Sequence, residues 1–200
     1  MNWAIHRVSG PSAEVLTTTD AKKHLHVEHS DEDAYIGGLC KAARELLEVN
    51  CNRSFTRQTW DYFQDEFPDG RQPIYLPRGP VISVTSVKYT TLTSTTAQTL
   101  SATTYITDRK TEPARIALRD GETWPTNLLQ DVNGVQVRFV AGLATSTGST
   151  ATGVPAAANL AAKLLVGQWY TDRESSMAVN PNTQRAVDVL VKSLDARRYM

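Results

Sequence analysis

Three of the four histidines, His24, His26 and His29, crowd into one short stretch beside Glu28, Asp31 and Asp33. Imidazoles next to carboxylates are the materials of a metal site, or of a general base held in one tautomer. A metal-dependent enzyme using the His24/His26/His29 cluster is therefore one reading. Against it, Asp31 and Asp33 have a simpler use as first-turn acids facing the positive end of a helix. A short interhelical loop also rarely supplies converging ligands by itself. Trp60, Tyr62, Tyr75 and Trp124 form a second set, which would suit an aromatic platform in a β-type carbohydrate- or nucleic-acid-binding module. Their apolar neighbours favour burial instead. The third set is Arg197, Arg198, Tyr199 and Met200, which offers residue types common at protein interfaces, or else a helix end with dipole-matching cations. No phosphate-cradling glycine loop, Cys-x-x-Cys pair, His-Glu-x-x-His helix or Gly-x-Ser-x-Gly elbow occurs. The expectation is no catalytic residue, no metal ligand and no cofactor.

The bulk properties narrow the field further. Lys plus Arg and Asp plus Glu both number 21 in 200 residues, so the formal net charge is zero. No overall field draws the chain onto nucleic acid or anionic lipid. No apolar run approaches the roughly 20 residues that span a bilayer, and Met1 to Arg7 does not read as a secretory leader, so an unexported chain without membrane contact is expected. Cys40 and Cys51 lie eleven positions apart on one predicted helix, about 16 Å at the usual rise, too far for a disulfide between them. They are expected as buried free thiols.

The elements that must position these residues are readable from periodicity. Thr17 to Asp20 has the form of a capping box, predicting a short helix to about His26. Ser30 to Asp33 repeats the pattern. From there Ile36, Leu39, Cys40, Ala43, Leu46 and Leu47 recur at helical spacing to about Asn50. Gly37 and Gly38 inside this helix suggest a close helix approach. After Phe55 the period changes to that of strands, over Trp60 to Phe63, Ile74 to Leu76, Val81 to Tyr89, a Thr-rich stretch to Tyr105, Arg115 to Leu118, and Val135, Val137 and Phe139. Leu143 to Gly153 reads as an exposed loop. Val154-Pro155 opens a third helix with Leu160, Leu164, Leu165 and Trp169 on its stripe, and a last helix carries Val187, Leu190, Val191 and Leu194. The fold class is α+β. Residues 1–54 and 154–200 are expected as a helical core packed as a small bundle, with 55–153 as an inserted, mainly antiparallel β section. The expected core includes Leu39, Leu46, Trp60, Val137, Phe139, Leu164 and Trp169.

The order of short blocks along the chain resembles the phage head-tail connector family, in the long form found in tailed phages, prophages and gene transfer agents. The blocks are Thr17 to Val27, Asp31 to Ile36, Gln58-Thr-Trp60, Ile74 to Pro77, Pro80 to Val87, Pro113 to Ile116, Trp124-Pro125, Val137 to Gly142, and Gln168 to Tyr170 with Arg173-Glu174. This resemblance implies a non-enzymatic adaptor in a virion neck, assembled in a bacterial host cytoplasm. It implies a homo-oligomeric ring of about twelve copies, in keeping with the preference of homo-oligomers for closed symmetry. The implied partners are the portal protein above, the next neck or tail-completion protein below, and DNA passing through the lumen without sequence reading. It also points to Arg197, Arg198, Tyr199 and Met200 as the portal interface. Zero net charge suits a conduit, because phosphate-binding cations would retard a moving duplex.

Overall fold

The computed structural model describes residues 3–11, 13–94, 96–143, 145–147, 150–173 and 180–195. Contacts divide the chain into a β unit, residues 1–10 with 58–142, and a helical unit, residues 11–57 with 143–200. The α+β class is observed, with helices from both ends of the chain packed together.

In the β unit the strands are β1 (Trp3–Ser9), β2 (Gln58–Gln64), β3 (Ile74–Leu76), β4 (Val81–Tyr89), β5 (Gln98–Thr99), β6 (Tyr105–Asp108), β7 (Ala114–Leu118) and β8 (Val135–Ala141). They form a five-stranded sheet in the order β1-β2-β8-β4-β5 and a three-stranded sheet in the order β3-β7-β6. Every described pair is antiparallel. The central strand β8 alternates as its sequence predicts, with Val135, Val137, Phe139 and Ala141 buried and the residues between them half-buried. Strand β4 does not alternate, because irregularities between Val81 and Ser83 and between Val84 and Ser86 shift its register against β8. Val84, an odd number of positions from both Val81 and Val87, thereby packs against the same core as they do. Trp3–Ser9, for which the sequence suggested no element, pairs with β2 as an edge strand, so residues 1–10 join the β unit rather than the helices. Its short exposed run carries little periodic signal.

Gly134, just before β8, stands where no side chain fits. A Cβ there would lie 2.3 Å from the Asp65 carbonyl oxygen and 2.9 Å from the Leu129 Cβ. Gly134→Ala is expected to cost about 1–3 kcal/mol through the forced backbone shift. A denaturant titration checks this against Gly121→Ala, where nothing lies within 4 Å of the added carbon but φ is +78° and the strain is conformational.

The helical unit contains α1 (Thr18–Leu25), α2 (Asp33–Cys51), α3 (Ala156–Thr171) and α4 (Pro181–Leu194). Thr17 caps α1 as expected, its Oγ1 accepting from the Asp20 amide at 3.1 Å. The second capping box does not form. Helix α2 starts at Asp33 behind Glu32 with no side-chain cap, and Ser30 contributes only its carbonyl, which accepts from the Asp33 amide. The inward stripe of α2 is Ile36, Cys40, Ala43, Leu47 and Cys51, packed with Ala158, Ala161, Ala162, Leu165 and Val166 of α3 and Val187 of α4. The three alanines of α3 present little side-chain bulk at this contact. Leu46, expected in the core, is instead 39 % exposed, because it lies about 100° around the helix from Leu47. Leu39, Leu164 and Trp169 are partly buried against the helical core, while Trp60, Val137 and Phe139 are buried in the β unit. Of the two glycines, only Gly37 meets a neighbour, Thr18 Oγ1 of α1 at 3.3 Å from where a Cβ would sit. Cys40 and Cys51 are buried free thiols, and burial, followed by the Glu14 charge, pushes the Cys40 thiol up to about 11.

The segment read as a loop after Leu143 contains a hairpin, β9 (Thr145–Thr147) and β10 (Thr150–Thr152), paired antiparallel with Thr150 opposite Thr147. β-Branched threonines favour extended backbone even where there is little to bury.

Candidate functional site

The histidine stretch is divided among separate structural duties. His26 ends α1 in the left-handed conformation, with φ 57°, and its amide donates to the Lys22 carbonyl. The His24 ring lies against Gly167 of α3, its Nε2 3.4 Å from where a Cβ would sit. His29 stands 3.9 Å from Asp31, and both are exposed. Asp33 is held by Lys22 at 2.6 Å. Among the described residues no group of three or more His, Cys, Asp or Glu side chains is placed to hold a metal ion.

Chemistry-bearing groups do converge where the start of α2 meets the end of α3. The Arg173 guanidinium lies over both the Tyr35 and Tyr170 rings, 4.8 and 4.6 Å from their centroids, and reaches Glu32 Oε1 at 2.7 Å. The Tyr170 hydroxyl donates to the other Glu32 oxygen. The Tyr170 hydrogen bond, then that of Arg173, holds the Glu32 carboxyl below its usual range. The Glu32 carboxylate in turn raises the Tyr170 hydroxyl and the Arg173 guanidinium. The cluster fastens the start of α2 to the end of α3 through one ion pair, one hydrogen bond and two cation–π contacts. Glu32 had looked like one more acid of a capping run, and only packing reveals its partners.

In the β unit, Trp60, Tyr62 and Trp124 are buried and only Tyr75, at 52 % exposure, faces solvent. They do not make an open aromatic platform. The Trp124 indole donates to the Gln72 carbonyl at 3.1 Å, and Arg78 lies over the Trp60 ring at 5.5 Å. Asp61 is buried between strands, accepting two bonds of 2.7 Å from Arg138 and one of 2.8 Å from Gln136. The Arg138 hydrogen bond lowers its carboxyl pKa. A carboxylate depressed on folding contributes stability that is present above its unfolded pKa and lost as pH falls through the folded one. The melting-temperature gap between wild type and Asp61→Asn is therefore expected to be full above about pH 4 and to close below it. Thermal melts across the acid range check this.

What the molecule offers to others is apolar surface. Tyr35, Leu46 and Val49 are exposed on α2, Trp3 and Val8 on β1, and Leu92, Leu128 and Val132 on loops of the β unit. The four terminal candidates, Arg197, Arg198, Tyr199 and Met200, lie outside the described residues. Among the described residues no helix is long and apolar enough to cross a membrane.

Residues 16–109 match the sequence model of the phage gp6-like head-tail connector protein family. The match begins one residue before the cap of α1 and runs through α2 and the β unit past β6, so the resemblance read from the early blocks holds over this span. No curated protein matches the chain. In fold the chain is similar to one in the neck of an empty GTA particle computed with C6 symmetry, with TM-score 0.74 at 18 % identity over 96 % of this chain and 95 % of that one. It is equally similar to one in the neck of a native GTA particle computed with C12 symmetry, with TM-score 0.74 at 19 % identity over 96 % and 94 %. A third, from the virion of a native gene transfer agent particle, has TM-score 0.73 at 19 % identity over 96 % and 94 %.

Proposed function

We propose that this chain is a structural head-tail connector subunit of a phage, prophage or gene transfer agent particle, and that its place is the neck. The observation that carries the reading is the family match over residues 16–109, which takes in α1 and α2 of the helical unit and β2 to β6 of the β unit. The fold likeness to chains of particle necks, nearly end to end, supports it. In this role about twelve copies close into a ring between the portal and the next neck protein, and DNA passes through the lumen. Removing this chain from a producing strain should give DNA-filled heads and free tails that do not join. Normally tailed particles made without it would overturn the reading.

Within this reading Arg197, Arg198, Tyr199 and Met200 contact the portal, because Arg and Tyr are the side chains that most often anchor an interface. Deleting these four residues should leave the thermal melt unchanged while abolishing binding of the purified subunit to the portal. Undiminished binding would place the contact elsewhere on the chain.

A further inference from the structure

In the β unit three segments line an open groove of about 640 Å³: the turn from Glu66 to Gly70, the segment at Leu92, and Thr123 to Asp131. Phe67 and Trp124 lie in its wall, stacked 5.1 Å apart and inclined by 11°. At its rim Leu92 is 56 % and Leu128 78 % exposed. The backbone that carries these two leucines is held in place. The Leu92 amide donates to the Leu128 carbonyl at 3.0 Å, the Gln130 amide to the Thr90 carbonyl at 3.1 Å, and the Thr90 amide to the Gly134 carbonyl at 2.9 Å. Thr91 and Leu129 add a β-bridge. The backbone thus presents apolar side chains to solvent in a fixed arrangement, and a partner that covers them loses little further ordering entropy. The charged residues that line the groove are all acids, and Arg71 beside them is turned to the Arg119 and Glu122 carbonyls. Glu66, Asp69 and Asp131 line it, and none of its lining residues is Lys, Arg or His.

We propose that this groove docks a segment of a different protein of the same particle, one carrying Lys or Arg beside a large apolar side chain. The apolar part of that segment would cover Leu92 and Leu128 and lie against Trp124, while its cation would meet the Asp69 and Asp131 carboxylates. Apolar cover supplies the affinity and the acidic rim selects the partner and its register. This rests on the connector reading, which supplies the particle in which such a protein is met.

The test compares wild-type particles with particles carrying Asp69→Lys with Asp131→Lys, and with others carrying Leu128→Asp. All three changed positions are surface residues of the groove, so the purified variants should melt as wild type does. The expected result is that both variants still enter the neck ring, but that one other particle protein falls by about tenfold or more relative to the ring. Raised salt during wild-type purification should release the same protein. Unchanged particle composition in both variants would overturn the proposal. Loss of the ring itself would also overturn it, by making the occupant a second copy of this chain. If even the wild-type chain is absent from particles, the connector reading is what has failed.

Discussion

Replacing Arg44 by methionine is expected to cost the helical unit about 3–5 kcal/mol, the range found when one partner of a buried ion pair is removed. Its side chain is only 4 % exposed and sits among carboxylates, with Glu14 at 2.8 Å, Glu48 at 2.9 Å and Glu45 at 3.4 Å. Burial alone would weaken its charge, but the Glu48 and Glu14 carboxylates outweigh it and hold the guanidinium above its ordinary pKa. Glu48 is itself buried and also accepts from the Phe55 amide at 2.8 Å, tying the end of α2 to the fully buried Phe55. Methionine would take away the guanidinium that stands 2.9 Å from the buried Glu48 carboxylate. Adding Glu48→Gln should restore part of the loss, since no buried charge is then stranded. Arg44→Lys should be intermediate, because one ammonium cannot span Glu14 and Glu48 as the planar fork does. Denaturant titration of the four proteins checks the order. Equal stability of Arg44→Met and wild type would mean that the network is not a support.

Truncating Phe139 to alanine is expected to cost the β unit about 3–5 kcal/mol. Phe139 is wholly buried on the central strand β8, opposite Trp60 on β2 and Val84 on β4. A cavity opened between paired strands cannot collapse without breaking their ladders, which places the loss toward the upper end for such changes. The measurement is a denaturant or thermal melt of purified protein. Trp60→Ala should behave similarly, since Trp60 lies opposite in the same core.

These two residues mark the limit of what the sequence makes legible. Phe139 announces itself, because Val135, Val137 and Phe139 alternate with Gln136 and Arg138, and a period of two survives folding directly. The α1 cap at Thr17 is equally local and equally readable. Arg44 does not announce itself, because Arg44 and Glu48 look like an ordinary exposed pair one helical turn apart, while Glu14 lies thirty residues away. Leu46 misleads for a related reason: a stripe of six apolar residues is wider than the face α3 covers, and only the packed helices show which edge is left out. Strand β1 is invisible because its pairing with β2 joins residues fifty or more positions apart. The Glu32, Tyr35, Tyr170 and Arg173 cluster is legible only in fragments, since it joins the start of one helix to the end of another. The candidate metal stretch fails in the opposite direction, as ligand-like residues gathered in sequence are sent to a helix cap, a helix contact and the surface.

Electron cryomicroscopy of the neck of particles that carry this chain decides whether it is a ring-forming connector. The expected density is a closed ring of about twelve identical copies between portal and tail, each fitted by the helical unit and by the five- and three-stranded sheets of the β unit. Neck density that this fold does not fit anywhere, in particles that mass spectrometry shows to carry the chain, would contradict it.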